Sequence, residues 1–192
     1  MNYKLFHYKI DNFDDCGFGC SYRNLQTILS AYLLNKQNKF QIPTIQSILY
    51  YFFPNYKNMS KKKLWIEPVQ ISKYLKEMYN FNTLNILYII NDTDIQNMLN
   101  TDIKYYIELN TIYNSNNFNH LLNILLLHFK NSILPIIIDD GIYSYCLLNI
   151  DINNNKILIS DPHTTNSDNV LKNKDIKFLQ YKFWMICIPL EK

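Results

Sequence analysis

Glycine, alanine and arginine are nearly missing from this chain of 192 residues, which contains three glycines, one alanine and one arginine. Asparagine, isoleucine, lysine and tyrosine are abundant instead, a pattern typical of a coding bias towards AT-rich codons. Because such a bias depletes the scarce types everywhere, a cluster of them is informative. Gly17 and Gly19 lie just before Cys20, and the single arginine, Arg23, follows three residues later. This segment is therefore the first candidate for a functional site.

Strong charge is also lacking, since charged residues make up 18% of the chain and the formal net charge is +3. The one dense basic run, Lys61–Lys63, is shorter than the basic stripe that nucleic-acid binding usually requires, so we expect no nucleic-acid partner. Hydrophobic residues make up 48% of the chain, with 16 tyrosines and 11 phenylalanines, which is ample for a packed core. A single domain over residues 1–192 is expected.

Long hydrophobic runs are absent as well. The run Ile133–Ile138 is far too short to span a bilayer, and residues 1–10 lack the continuous apolar stretch of a signal peptide. We therefore expect no direct membrane insertion. The four cysteines could form two disulfides in a secreted protein, but without a signal peptide a reducing compartment and free thiols are favoured. The sequence thus predicts a cytoplasmic protein, and we expect a monomer.

The hydrophobic pattern has helical spacing in the first part of the chain and strand-like runs in the last part. Helices are predicted from Cys20 to about Leu33, from Pro43 to Phe53, Pro68 to Tyr79, Asp92 to Leu99 and Phe118 to Phe129. Strands are predicted at Lys4–Tyr8, Leu84–Ile90, Lys104–Leu109, Leu134–Ile138, Ile142–Ile150, Lys156–Ser160 and Phe183–Ile188, with a turn at residues 153–155. This order predicts an α+β fold in which an N-terminal helical part packs on a late antiparallel sheet.

The segment around Cys20 has the features of a nucleophile turn. A tight turn at Gly17 and Gly19 would deliver Cys20 to the first turn of a helix. The helix N-terminus carries a partial positive charge and unpaired N–H groups, which favour a thiolate and can stabilise an oxyanion. The structural alternative is that Cys20 is a small buried hydrophobe next to an ordinary glycine turn.

A second constellation, Asp161-Pro162-His163, follows the predicted strand at Lys156–Ser160. In an extended segment residues two apart share a side, and Pro162 favours that conformation for Asp161. His163 could therefore take a proton from a thiol while Asp161 fixes its orientation. The alternative is a turn capped by Asp161 with His163 exposed.

The presence of both constellations in one chain favours the catalytic interpretation over the two structural ones. The other histidines, His7, His120 and His128, lie in strand or helix patterns and are interpreted as ordinary structural residues. A zinc site from Cys16, Cys20 and a distant histidine would lack any paired CxxC spacing. No metal and no other cofactor are therefore expected.

The two motifs resemble those of the proteases specific for the ubiquitin-fold modifier. Around its nucleophile that family has Gly-Trp-Gly-Cys-x-Tyr-Arg-x-Leu-Gln, and residues 17–26 read Gly-Phe-Gly-Cys-Ser-Tyr-Arg-Asn-Leu-Gln. Residues 161–163 match its Asp-Pro-His motif, and Tyr8 matches the tyrosine that completes its oxyanion hole. Trp65-Ile66 matches a Trp-Ile before a helix, and residues 187–189 resemble the closing strand. The resemblance covers nearly the whole chain.

The resemblance implies a papain-like cysteine protease fold with four catalytic residues. In it Cys20 is the nucleophile, His163 the base, Asp161 the orienting residue and Tyr8 the oxyanion donor. The chain length resembles that of the short members, which lack the additional N-terminal domain of the long ones. The predicted substrate-binding residues are Phe18, Gly19, Trp65, Asp140, Gly141 and Tyr145.

Three departures from the family pattern lie in or near the predicted substrate channel. Phe18 replaces the usual Trp, which keeps the packing but loses an N–H donor. Asp139 and Asp140 stand in the family's glycine-rich turn and alter the charge expected beside the substrate tail. Tyr145 takes the place of a family histidine, and Thr164 that of the Tyr after Asp-Pro-His.

The leading hypothesis is a thiol protease that trims the precursor of the ubiquitin-fold modifier after its C-terminal glycine and removes the modifier from target lysines. The expected partners are that modifier and its conjugates. One alternative is an autophagy-type cysteine protease, which shares the Gly-Trp-Gly-Cys and Asp-Pro-His motifs; Tyr22–Gln26 favours the first family. Another is a module that binds the modifier without cutting it, and the intact catalytic set speaks against that.

Overall fold

The structure is a computed structural model that describes residues 3–34 in full, the backbone of Asn35, and residues 41–90 and 111–190. In the described residues the helices are α1 (Cys20–Asn35), α2 (Ile45–Phe52), α3 (Pro68–Tyr79), α4 (Phe118–Asn131) and the short α5 (Lys177–Gln180). The strands are β1 (Asn82–Ile89), β2 (Ile112–Asn114), β3 (Ile136–Asp139), β4 (Ser144–Asp151), β5 (Lys156–Ser160), β6 (Leu171–Asp175) and β7 (Trp184–Leu190). The predicted α+β class is confirmed.

The strands form a sheet in the order β2-β1-β7-β3-β4-β5-β6. The β1–β2 pair is parallel and the other neighbouring pairs are antiparallel. Successive side chains point to opposite faces: Ile137 packs in the core with α1, α2 and α3, whereas Ile136 and Ile138 pack in a second core with α4. Helices therefore cover both faces of the sheet, and α1 packs on β3 and β4.

Helix α1 forms where the sequence predicted it, because its apolar residues repeat at helical spacing. Tyr22, Leu25, Ile28 and Leu29 are completely buried, and so is the single alanine, Ala31. This face anchors α1 in the core. The N-terminal residue of the helix, Cys20, is thereby held at a fixed position over the sheet.

The predicted strand at Lys4–Tyr8 is wrong. This segment pairs with side chains and a loop rather than with a neighbouring strand. The Lys4 N–H donates to Ser30 Oγ at 2.8 Å and the Phe6 N–H donates to Thr27 Oγ1 at 3.0 Å, both on α1. The alternating pattern therefore reflects an irregular segment lying along α1, with Phe6 and Tyr8 buried.

Other element boundaries shift for local reasons. Helix α2 begins after Thr44, whose hydroxyl accepts the Ser47 N–H, so Pro43 lies outside the helix. Strand β4 begins only at Ser144, because Asp140 Oδ1 accepts the N–H groups of Ile142 and Tyr143 in a turn. Strand β6 was not predicted, since its sequence, Leu-Lys-Asn-Lys-Asp, is mostly polar. The predicted helix at residues 92–99 and strand at 104–109 lie outside the described residues.

In the part of the chain that the structure describes, no helix is long and apolar enough to cross a membrane. All four cysteines are free thiols; Cys20, Cys146 and Cys187 are completely buried and Cys16 is half-buried.

Candidate active site

The turn before Cys20 needs both of its glycines. Gly17 has a φ of +89°, a left-handed conformation that favours glycine. A Cβ on Gly19 would lie 2.5 Å from Cβ and 2.7 Å from Cγ of Asp15, which is far too close for real atoms. The Gly19 carbonyl accepts the Arg23 N–H at 2.9 Å, so the turn continues directly into α1. Local backbone sterics therefore place Cys20 at the start of the helix.

Arg23 holds this turn in place through ion pairs with two aspartates. Its side chain is completely buried and donates to Asp15 Oδ2 at 2.6 Å and to both carboxylate oxygens of Asp11 at 2.8 and 3.0 Å. It also donates to Gln26 Oε1 at 3.0 Å. The planar guanidinium suits such paired carboxylate contacts. The single arginine thus has a structural role, tying the loop before Cys20 to α1.

The expected Asp161–His163 pair is present at the end of β5. His163 Nδ1 lies 2.6 Å from Asp161 Oδ1, and the His163 N–H donates to the same oxygen at 3.1 Å. The predicted pairing of the two side chains is present, but the expected extended conformation is wrong: residues 162 and 163 form a turn in which Asp161 accepts the His163 N–H. Burial opposes ionisation of Asp161, but hydrogen bonds from His163 and Lys172 hold its pKa well below its usual range. The carboxylate is thus ionised and orients the imidazole ring.

Tyr8 connects this pair to Cys20. Its N–H donates to the Pro162 carbonyl at 3.0 Å, and its ring packs edge-on against the His163 ring, with centroids 5.5 Å apart. Its hydroxyl lies close enough to the Cys20 thiol and to the Gly17 N–H for both to influence its pKa. The structure therefore brings Tyr8, Cys20, Asp161 and His163 together from three separate parts of the chain.

The His163 ring is enclosed by tyrosines. Besides Tyr8, the rings of Tyr143 and Tyr145 contact it edge-on, at centroid distances of 5.1 and 5.4 Å. The Nε2 atom of His163 is buried and has no hydrogen-bond partner among the described residues. A buried ring nitrogen without a partner is available to take up or release a proton.

The Cys20 thiol is protonated, whereas the sequence suggested that the helix N-terminus would favour a thiolate. Burial and the Asp139 carboxylate raise the pKa of Cys20 to about 12, although N–H groups of Ser144 and Ser21 and the Tyr8 hydroxyl lower it. The effect of the helix N-terminus is therefore outweighed, and the thiol is neutral near pH 7. Such a thiol becomes a nucleophile when a base takes its proton during attack.

Some residues predicted to bind substrate lie next to this group. Gly19 precedes Cys20 in the turn, and Tyr145 contacts His163. Phe18 is buried and packs edge-on against Tyr22, so it supports the turn from the core side. Asp140 and Gly141 form the turn between β3 and β4, where Gly141 has a φ of +83°.

Trp65 lies in a segment that is tied to α1, since the Tyr22 hydroxyl donates to the carbonyl of the adjacent Leu64 at 2.6 Å. It is half-buried in the segment just before α3, and its role in substrate binding stays a prediction.

The charge of the β3–β4 turn is smaller than the sequence suggested. Asp140 Oδ2 lies 2.9 Å from Lys182 Nζ, so an ion pair compensates its charge. Asp139 is completely buried and points away from solvent. The pair of aspartates therefore does not present two free negative charges to a substrate tail.

Sequence reasoning missed three residues at this site. Lys172, on β6, lies with its Nζ 2.5 Å from Asp161 Oδ2, and nothing in the polar sequence of β6 marked it. Tyr143 could have been found from its spacing of two from Tyr145, which places both on one side of an extended segment. Asp139 was noted only as a departure in the substrate turn, and its buried position behind Cys20 was not expected.

Comparisons with known proteins give a consistent family. The model of Peptidase family C78 matches residues 1–184. Over 178 residues the chain is 26% identical to the "Probable Ufm1-specific protease" of Oryza sativa subsp. japonica, covering 89% of this chain and 24% of the relative. It is 26% identical over 189 residues to the "Ufm1-specific protease 2" of Homo sapiens, covering 95% of this chain and 34% of the relative. The chain thus spans only about a quarter to a third of these relatives.

Among solved structures, the fold is similar to that titled "Crystal structure of UfSP from C.elegans". The TM-score is 0.68 at 23% sequence identity, and the match covers 99% of this chain and 33% of that one. Together with the family match, this similarity confirms the predicted α+β, papain-like fold.

Proposed function

Because the chain belongs to Peptidase family C78, we propose that it is a cysteine peptidase acting on the ubiquitin-fold modifier Ufm1. In this proposal it processes the Ufm1 precursor after the C-terminal glycine and releases Ufm1 from target lysines. Residues 1–192 act as one catalytic domain, as a monomer in the reducing cytoplasm, where Cys20 stays a thiol.

In the proposed acylation step each of the four proposed catalytic residues has one role. The Cys20 sulfur attacks the carbonyl carbon of the terminal glycine, and its proton passes to His163 Nε2. The Tyr8 hydroxyl donates to the oxyanion of the tetrahedral intermediate. When the C–N bond breaks, His163 gives the proton to the leaving amine, and a thioester between glycine and Cys20 remains.

Deacylation uses the same residues, but water is now the nucleophile and the Cys20 sulfur is the leaving group. A water molecule attacks the thioester carbonyl while His163 Nε2 takes its proton. The intermediate collapses, the Cys20 sulfur leaves and recovers a proton from His163, and the modifier departs with a free C-terminal carboxylate. The Asp161 carboxylate stabilises the imidazolium that forms in both halves of the reaction.

The observation that carries this proposal is the position of Tyr8. It contacts the Cys20 thiol through its hydroxyl, the His163 ring through its own ring and the Pro162 carbonyl through its N–H. A module that only binds a modifier has no need to join a buried thiol, an ionised Asp–His pair and a hydroxyl donor in one place.

The test is a side-by-side cleavage assay with three linear fusions that differ only in the modifier: Ufm1, an autophagy modifier and ubiquitin. We expect cleavage of the Ufm1 fusion after its terminal glycine, little or none of the other two, and no cleavage by the Cys20→Ala variant. Faster cleavage of the autophagy fusion would assign the chain to the autophagy-type activity. Tight binding of Ufm1 with no cleavage of any fusion would support a binding module instead.

A further inference from the structure

A buried cluster of polar side chains lies next to Cys20, the proposed nucleophile. Its centre is Asp139, the last residue of β3, which is completely buried. Ser21 Oγ donates to Asp139 Oδ2 at 3.4 Å, and the Gly141 N–H donates to Asp139 Oδ1 at 2.8 Å. The Ser144 hydroxyl also contacts the carboxyl group. A buried carboxyl group with this many donors is a built feature rather than an accident of packing.

The same cluster reaches the Cys20 sulfur through two elements. Ser21 follows Cys20 on α1, and Asn24, one turn further, donates to Ser144 Oγ at 3.0 Å. The N–H of Ser144 in turn lies close enough to the Cys20 thiol to lower its pKa. Ser21, Asn24 and Ser144 are completely buried, so water does not screen the interaction between Asp139 and Cys20.

We propose that Asp139 is a positioning residue for the nucleophile that works in two ways: its hydrogen bonds align Ser144 and Ser21 beside the Cys20 sulfur, and its buried carboxylate opposes the formation of a thiolate there. The thiol then loses its proton only as His163 takes it during attack. This inference rests on the proposed role of Cys20 as nucleophile. It concerns a carboxyl group at a position where the resembled family has a glycine-rich turn.

The surroundings of Asp139 support this electrostatic role. Burial raises its pKa to about 7, even though the donors named above favour the carboxylate. The titratable groups that face it are Cys20 on α1 and its neighbour Asp140, and the charge of Asp140 is compensated by Lys182. Its partner on β7 is Met185, which does not titrate. Below this pKa Asp139 is neutral, and above it the carboxylate opposes a thiolate at Cys20.

The experiment compares alkylation of Cys20 by iodoacetamide in the wild type and in Asp139→Asn, across pH. Both proteins carry Cys16→Ser, because half-buried Cys16 would also react, and the labelled site is confirmed by peptide mapping. Asn keeps a hydrogen-bonding side chain of the same shape but never ionises. Asp151→Asn, at the far end of β4 in a turn with Asn154, is the matched control and should label like the wild type.

At about pH 5 the side chain at position 139 is neutral both in the wild type and in Asp139→Asn, so we expect the two proteins to label at similar rates. Above about pH 8 we expect Asp139→Asn to label about tenfold faster, since one pKa unit changes the thiolate fraction tenfold. A variant that merely loosened access to Cys20 would give the same rate ratio at every pH. A constant ratio, or equal rates throughout, overturns the proposal.

A second measurement covers the case in which Asp139→Asn does not fold, as judged by thermal unfolding. In a His163→Ala, Cys16→Ser background, the logarithm of the labelling rate of a lone thiol rises by one per pH unit. If Asp139 ionises near pH 7, its new charge opposes the Cys20 thiolate, so the slope of the logarithm of the labelling rate against pH falls below one there. The slope returns to one at higher pH, where Asp139 is fully ionised. A slope of one throughout overturns the proposal. Because alkylation needs no protein substrate, these results stand apart from any failure to cleave Ufm1.

Discussion

Lys172 Nζ lies 2.5 Å from Asp161 Oδ2, the carboxylate oxygen that His163 does not use. The Asp161 carboxylate thus contacts the His163 ring and the Lys172 ammonium group at once. Both contacts lower the pKa of Asp161, whereas burial raises it. The lysine comes from the edge strand β6, so the orientation of the proposed catalytic histidine depends on a strand that contributes no catalytic residue itself.

The first prediction concerns this ion pair. We expect Lys172→Met to lower kcat/KM about three- to tenfold, because Asp161 loses one of two partners while the pair with His163 remains. Lys174→Met is the matched control, since Lys174 lies on the same strand over the Phe178 ring and should leave kcat/KM unchanged. Equal kcat/KM for Lys172→Met and the wild type would show that His163 alone fixes the carboxylate.

The pH dependence of this pair has a definite sign. The folded-state pKa of Asp161 is depressed, so its contribution to stability is present above the unfolded value of about 4 and is lost as the pH falls through the folded value. The difference in melting temperature between the wild type and Lys172→Met should therefore be constant near neutral pH and shrink in acid. A difference that grew in acid would contradict the assignment.

The second prediction separates chemistry from binding at the acid–base pair. His163→Ala and Asp161→Asn should each lower kcat about 100- to 10,000-fold, because one moves the proton and the other holds the ring. Binding of the folded modifier, measured by calorimetry, should stay within about twofold, since neither side chain is needed to dock it. His120→Ala, on α4 and stacked on Tyr113, is the control and should keep full activity. A parallel loss of binding in both variants would indicate a structural role instead.

The third prediction concerns Tyr8. Tyr8→Phe keeps the ring that packs on His163 and removes only the hydroxyl that contacts Cys20. We expect kcat to fall about 10- to 1,000-fold, the range for one oxyanion donor, with KM nearly unchanged. Thermal unfolding should show a folded protein. An unaffected kcat would mean that the hydroxyl stabilises only the resting thiol and that backbone N–H groups alone bind the oxyanion.

The sequence predicted most of the fold because its periodicity was clear. Helix α3 and strand β5 have the predicted bounds, since Pro68 begins the helix and an apolar Ile-Leu-Ile run forms the strand. The strand at Lys4–Tyr8 failed because alternation of polar and apolar residues does not say whether backbone groups pair with a strand or with side chains. The polar edge strand β6 gave no periodic signal at all.

The candidate site was predictable in its residues but not in its electrostatics. The spacing within Asp161-Pro162-His163 is local, so the 2.6 Å contact between the two side chains could be anticipated. The raised pKa of Cys20 could not, because it depends on burial and on Asp139, more than one hundred positions away in the chain. Lys172 reaches Asp161 only through the pairing of β6 with β5, which the sequence did not indicate.

The fourth prediction tests the glycine turn. In Gly19→Ala the new Cβ would lie 2.5 Å from Asp15 Cβ, and Asp15 cannot move freely because it is paired with Arg23 in the core. We expect a loss of about 2–3 kcal/mol in the free energy of unfolding, together with loss of activity. Gly141→Ala is the comparison, since a Cβ there meets nothing within 4 Å and only its φ of +83° is strained.

That comparison variant should lose about 1–2 kcal/mol, the cost of a left-handed residue with a side chain. The measurement is chemical denaturation of both variants under the same conditions. If Gly19→Ala proved as stable as the wild type, the Asp15 and Arg23 side chains would be able to move despite their burial. A need for glycine at position 19 would then come from substrate binding.

The last prediction concerns how a substrate tail reaches the nucleophile. Cys20 is completely buried, and Tyr143 and Tyr145 flank His163, so only a narrow extended tail with small residues can approach the sulfur. A short tail of this kind offers little contact area, and the folded body of the modifier must supply most of the affinity from outside the channel. We therefore expect a peptide carrying the Ufm1 tail to be cleaved with a kcat/KM at least about 100-fold below that of the folded fusion. A peptide with a bulky residue in place of the terminal glycine is the control and should not be cleaved. Equal kcat/KM for the peptide and the fusion would mean that the tail alone carries recognition and that the surface around the channel contributes nothing.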